Sequence, residues 1–239
     1  MRVVSFKIWG KFAHFRKFWT TSSSLSYPFP PPTAVRGILG AILGFRKEEY
    51  IERTEPFKVG VEILKPPKVI KLGLNFVDTK KLDVEFKKFV KKRQKEGLLH
   101  TQTLVEVLKE PEYRIFVASD DGKLLENLER VLKNGENYYT VSLGWANFLA
   151  NFEYEKTFEV EPIEKTSKVL TVIPTSHVEE LSFDKDHLVG RDTIPTNLGK
   201  DRKPLSYESV IFSLSARPLE GTFRNIYLYG SRGGIFLFS

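Results

Sequence analysis

The chain has no cysteine among its 239 residues, so disulfides, thiolate zinc sites and cysteine nucleophiles are all ruled out. Histidine is scarce. His14, His100, His177 and His187 make no HxxxH-like pair, so a metal would depend on carboxylates, and neither a metal nor a cofactor is expected. One Met and two Gln (Gln94 and Gln102), set against heavy use of Lys and Glu, lean towards a thermophilic source. Long hydrophobic runs are missing too: the most apolar stretch, residues 34–45, carries Arg36 and is too short to span a bilayer. Residues 1–10 alternate as a strand does, and Arg2 and Lys7 interrupt any signal-peptide core. The expectation is a cytoplasmic protein without membrane contact.

The usual enzyme signatures are also absent. The glycines of residues 37–44 are not followed by the Lys-Ser/Thr of a phosphate-binding loop, and no GxSxG, HExxH or EF-hand pattern occurs. Asp120 with Asp121 and Asp184 with Asp186 lie in turn-like segments, where aspartate is common for local reasons. A metal-free ribonuclease needs only a histidine or tyrosine to take the 2′-hydroxyl proton and a lysine to steady the phosphorane. His14, His100, Tyr27 and Lys17 are the parts on hand for that chemistry.

What the sequence does have is positive charge and aromatic side chains. The net charge is +7 and 13% of residues are aromatic, which favours a polyanionic partner, although a merely basic soluble protein has the same composition. Phe12, His14, Phe15, Arg16, Lys17, Phe18 and Trp19 crowd together, followed by a Thr/Ser run over 20–24 and prolines at 28 and 30–32. A helix follows to about Gly44, with Pro31 and Pro32 in its first turn and Thr33 as the candidate cap. Val35, Ile38, Leu39, Ile42 and Leu43 form its apolar stripe. Gly37 and Gly40 each cost about 1 kcal/mol relative to alanine. Close packing on a sheet, or close approach of an RNA backbone or partner, would account for them.

Strands are expected over 3–9, 57–64, 69–77, 102–108, 113–118, 138–143 and 145–154, with a second helix over 121–133. This order is the βαββαβ plan of the ferredoxin-like or RRM-type α+β fold. It carries a basic insertion over 80–95 that reads as a short amphipathic helix or projection, either a solvated charged face or a phosphate-contacting one. After residue 158 only short strands are visible (169–173, 209–214, 224–229 and 235–238), the last two joined by a glycine-rich turn at 230–234. The predicted organisation is a domain over 1–155 with its insertion at about 69–108, then a small all-β domain over 156–239.

RNA binding needs cations for phosphates, flat side chains for unstacked bases and backbone that comes close. Residues 14–36 supply all three beside a helix N-terminus. The candidate binding residues there are His14, Phe15, Arg16, Lys17, Tyr27, Thr33 and Arg36, with Lys87, Lys88, Lys91, Lys92 and Arg93 in the insertion and Arg114 beyond it.

The run SYPFPPPTAVRGILGA at 26–41, with the strand at 3–9, Gly10 and Phe15-Arg16, resembles the N-terminal signature of the fifth numbered CRISPR-associated family ("Cas-five") of the RAMP superfamily. Glu106-Val107-Leu108, Pro111, Tyr113-Arg114-Ile115, Ser142-Leu143-Gly144 and Phe148-Leu149-Ala150 are similar to its later blocks. The likeness covers roughly the first 150 residues. It implies an RRM-like body with a projecting thumb that caps the 5′ handle of the crRNA in a type I Cascade complex. The implied partners are the repeated backbone subunit and the large subunit, with target DNA met indirectly. Most members do not cut, so no catalytic residue is expected. One subtype processes repeat RNA through a Tyr/Lys/His set, for which His100, Tyr27 and Lys17 are the fallback here. Leu98 and Leu99 stand where the lysine beside such a histidine is expected.

Overall fold

The computed structural model describes residues 1–20, 24–77, 100–182 and 184–239, with backbone alone at 77, 100 and 101. The chain opens with β1 (Arg2–Gly10), where β-branched and aromatic residues alternate across the two faces of a strand. The crowded segment that follows is not a plain loop. It holds β2 (Phe12–Ala13), β3 (Phe15–Arg16) and β4 (Ser26–Tyr27), and β3 pairs antiparallel with β4 through Phe15 opposite Tyr27.

Helix α1 (Pro32–Leu43) forms as its apolar spacing predicts, but Thr33 is not its cap. Pro31, held extended, is the capping residue, and its carbonyl accepts from Ala34 and Val35 N–H at 2.8 and 3.1 Å. Proline ring geometry fixes that start one residue pair earlier than a threonine cap would. The helix ends at Gly44, whose φ of 77° suits glycine. A short α2 (Tyr50–Thr54) then packs on α1. A Cβ at Gly40 would stand 3.0 Å from Tyr50 Cβ, so the close approach there is helix to helix rather than helix to sheet. Gly37 has open space around its Cα and needs no such contact.

Next come β5 (Phe57–Ile63), the long antiparallel pair β6 (Lys68–Val77) and β7 (His100–Lys109), β8 (Glu112–Ser119), α3 (Gly122–Lys133) and β9 (Ala150–Glu159). Asp121 caps α3 by accepting from Leu124 N–H at 3.1 Å. The central sheet runs β5-β8-β1-β9, antiparallel throughout. Val4, Phe6 and Ile8 of β1, Val59 and Val61 of β5, and Ile115 and Val117 of β8 join α1 and α3 in the main core. The opposite face, with Val3, Phe116 and Ala118, is covered by Tyr229, Ile235 and Leu237 from the end of the chain.

The strands expected over 138–143 and 145–154 are replaced by an irregular segment and by β9, which starts at Ala150. The cause is a competing use of backbone. Tyr138 and Tyr139 N–H donate to the last carbonyls of α1, Ile42 and Ala41, at 3.2 and 3.0 Å. Those groups are therefore not available to a sheet.

The remaining elements are β10 (Glu161–Val169), β11 (Ile173–Pro174), β12 (Val178–Leu181), β13 (Val189–Leu198), β14 (Pro204–Ser213), β15 (Leu219–Leu228) and β16 (Gly234–Ile235). They make a sheet in the order β10-β16-β15-β12 and a second one, β11-β14-β13. Several are ten residues long, not the short strands expected. In β13 the pattern is broken by Pro195, where the register shifts, and proline is tolerated because β13 is an edge strand. Ile194, Val210 and Phe212 enter the main core, and Phe212 meets Phe29 of the proline-rich segment edge-on at 4.9 Å. Among the described residues no helix is long and apolar enough to cross a membrane.

Candidate nucleic-acid interface

The proline-rich segment is held by the hairpin of β13 and β14, a partner with no local signal in the sequence. Tyr27, fully buried, donates its hydroxyl to the Thr193 carbonyl at 2.7 Å. Lys17 Nζ reaches Asp192 Oδ2 at 2.6 Å and lies over the rings of Trp19 and Tyr27 at 5.6 and 5.7 Å. Arg36 NH1 donates to Asn197 Oδ1 at 2.5 Å. Three contacts along one edge strand, at Asp192, Thr193 and Asn197, thus hold Lys17, Tyr27 and Arg36.

At the surface of this junction lie side chains suited to unstacked bases. Phe18 and Trp19 are 45% and 52% exposed, and Phe18 packs on Tyr207, itself 44% exposed, with ring centroids 4.4 Å apart. Exposed aromatics cost burial energy unless something covers them, and a base offers a matching flat face. Arg16 stands exposed beside them, with NH2 donating to the Thr20 carbonyl at 2.9 Å. Leu205, two residues from Tyr207 on the same side of β14, begins a cleft of about 730 Å³ that Arg36, Asn197 and Ser206 also line. Thr33 is half-buried near the start of α1.

Other expected residues stand apart from this surface. His14 is buried, its Nδ1 2.7 Å from the Glu106 carbonyl and its Nε2 2.9 Å from Ser24 Oγ, with Trp145 against its ring at 4.6 Å. Burial holds its pKa below the ordinary histidine value, against the pull of the Glu106 carbonyl. Gly144 permits this packing: at φ 90°, a Cβ there would come within 1.9 Å of the His14 carbonyl oxygen. Phe15 is a core residue, edge-on to Tyr113.

Arg114 is committed inside the protein. Its Nε and NH2 bind both oxygens of Glu155 at 2.6 and 2.9 Å, and NH1 binds Glu62 Oε2 at 2.6 Å. Burial alone would lower its pKa, but the hydrogen bonds to the two carboxylates hold it above the ordinary value. Burial pushes Glu62 up while the same guanidinium pulls it down. A fork engaged on both sides has little left to offer a phosphate.

Of the fallback catalytic set, the Tyr27 hydroxyl is buried and donating, and burial followed by the nearby Asp192 charge raises its pKa. Lys17 is paired with that carboxylate. His100 opens β7 opposite Val77, and its side chain lies outside the described residues, as do Lys87, Lys88, Lys91, Lys92 and Arg93. Among the described residues no group of three or more His, Asp or Glu side chains is arranged to hold a metal.

The CRISPR-associated protein family Cas_Cas5 matches residues 3–217 of the chain. The chain belongs to this family. A relative from Thermus thermophilus, named CRISPR pre-crRNA endoribonuclease Cas5d, is 32% identical over 149 residues. That match takes in 61% of this chain and 61% of the relative, so less than two thirds of the relative's length is spanned. Among solved structures, a CRISPR protein from Archaeoglobus fulgidus superposes with a TM-score of 0.58 at 14% identity, covering 99% of this chain and 100% of that one. A chain of a CRISPR RNA-guided surveillance complex gives 0.54 at 12% identity, covering 92% and 91%. These two likenesses carry the mixed α+β fold.

Proposed function

We propose that this Cas5-family chain is a non-catalytic RNA-binding subunit. On this reading it caps the 5′ handle of the crRNA in a type I Cascade complex, beside the backbone and large subunits. The observation that carries the reading is the exposed pair of Phe18 and Tyr207, flanked by Trp19 and Arg16 and leading into the Arg36 cleft. Stacking faces, a cation and a buried donor in one line suit single-stranded RNA. The binding set is accordingly Arg16, Phe18, Trp19, Arg36 and Tyr207. The cations of residues 80–95 are assigned to phosphates on their charge alone.

We also propose a finer description of the fold. The sheet order β5-β8-β1-β9, with α1 after β1 and α3 after β8, supports a ferredoxin-like βαββαβ body. We take β6 and β7 as the base of the thumb. We read 1–155 as the body and 156–239 as a β-rich second unit, with β9 continuing to Glu159 and the core shared between them.

The likeness to the Thermus pre-crRNA endoribonuclease favours a second reading, a metal-independent endoribonuclease acting on CRISPR repeat RNA. Against it stand the buried, donating Tyr27 hydroxyl and the pairing of Lys17 with Asp192. Incubating the purified protein with end-labelled repeat RNA in chelator separates the two. Retention of intact RNA, lost when the handle is scrambled, supports a cap. A single cut at the handle boundary, abolished by His100→Ala, establishes the nuclease instead.

A further inference from the structure

Arg36 as a residue is only 6% exposed and lines the 730 Å³ cleft between α1, α2 and the β13–β14 hairpin. A guanidinium offers five N–H donors. Here one donates to a neutral amide oxygen, Asn197 Oδ1, and Nε has no partner among the described residues. A buried cation left so poorly matched is costly unless an acceptor arrives to complete it.

The rest of the cleft restricts what that acceptor is. Glu52, which pairs with Lys200 at 3.2 Å, and Glu55 line it too, so the two carboxylates cancel the charges of Arg36 and Lys200 and leave no net positive charge for a phosphate. Ile51, Leu198 and Leu205 give it apolar walls. A neutral, flat ligand that accepts on one edge and donates on the next meets all three conditions. Among nucleobases, guanine presents O6 and N7 as a paired acceptor for an arginine fork, with N1–H and the 2-amino group as paired donors for a carboxylate.

We infer that this cleft receives an unstacked guanine base of the bound RNA, with Arg36 meeting its O6/N7 edge and Glu55 accepting from N1–H and the 2-amino group. The inference rests on the RNA-binding reading and deepens it. Phe18 and Tyr207 would stack the neighbouring nucleotide, because Leu205 and Tyr207 share one side of β14.

The test uses the intact protein and follows the Arg36 Nε–H resonance by NMR while adding GMP, AMP, CMP, UMP or inorganic phosphate. A response to GMP at concentrations about tenfold below those needed for the other nucleotides is expected. Glu55→Ala, at an exposed position, should remove that preference and leave the weak AMP response unchanged. No response at all, equal responses to the four nucleotides, preference for another base or a response to phosphate alone would each overturn the guanine site. Handle RNA added to the same sample keeps the two proposals apart. Retention with an unmoved Arg36 signal sinks the pocket alone, and absent retention sinks the RNA-binding reading.

Discussion

The Tyr27 hydroxyl donates to the Thr193 carbonyl at 2.7 Å, joining positions 166 residues apart. This bond gives a tyrosine that sequence reasoning offers to catalysis a tethering role. Tyr27→Phe should lower stability by about 1 kcal/mol, the usual net worth of one such bond. RNA retention should stay within error of wild type. A urea midpoint shift with unchanged gel retention checks both parts.

His14 predicts a pH dependence. Its folded pKa lies below the ordinary histidine value of 6.5, so between those two values the unfolded chain holds more protons than the folded one. Its contribution is therefore complete above about pH 6.5 and is lost as pH falls towards the folded value. Urea unfolding at about pH 7.5 and about pH 5.5 should show a smaller loss on acidification for His14→Gln than for wild type. Equal losses would mean that His14 does not carry the effect.

Removing the Arg114 side chain leaves Glu62 and Glu155 facing each other with their shared cation gone. Arg114→Ala should cost about 3–5 kcal/mol. Any protein that still folds should bind RNA as wild type does. A loss of affinity in folded protein, judged by matched circular dichroism, would return Arg114 to the RNA surface.

Phe18→Ala and Tyr207→Ala should each weaken handle RNA by about 5- to 150-fold, the range for a lost base stack. Both side chains are well exposed, so the unfolding midpoint should barely move. Fluorescence anisotropy at fixed salt measures the first effect and thermal unfolding the second.

Replacing Lys87, Lys88, Lys91, Lys92 and Arg93 by alanine should flatten the salt dependence of RNA binding. The expected change is roughly 0.7 in log–log slope for each phosphate contact removed. A slope identical to wild type would leave that run as a solvated face.

The helices and the central strands were legible because their signals are local. The stripe Val35, Ile38, Leu39 and Ile42 has helical spacing and is buried as that spacing predicts. The site was half legible. Residues 14–36 announced themselves by composition, yet the partners that give Tyr27, Lys17 and Arg36 their settings are Thr193, Asp192 and Asn197. Those sit in a strand containing Pro195, a residue that argues against a strand when read alone. His14 and Arg114 looked suited to RNA by residue type. Only burial and long-range pairing put them inside.

The tethers from residues 17–36 to β13 also order events in time. A ribosome delivers the proline-rich signature early, but its wall of Asp192, Thr193 and Asn197 emerges only after more than 150 further residues. A nascent chain stalled before that point has the aromatic and basic residues without the strand that aims them. If this chain binds RNA as proposed, capture has to wait until β13 has been made and has folded against those residues.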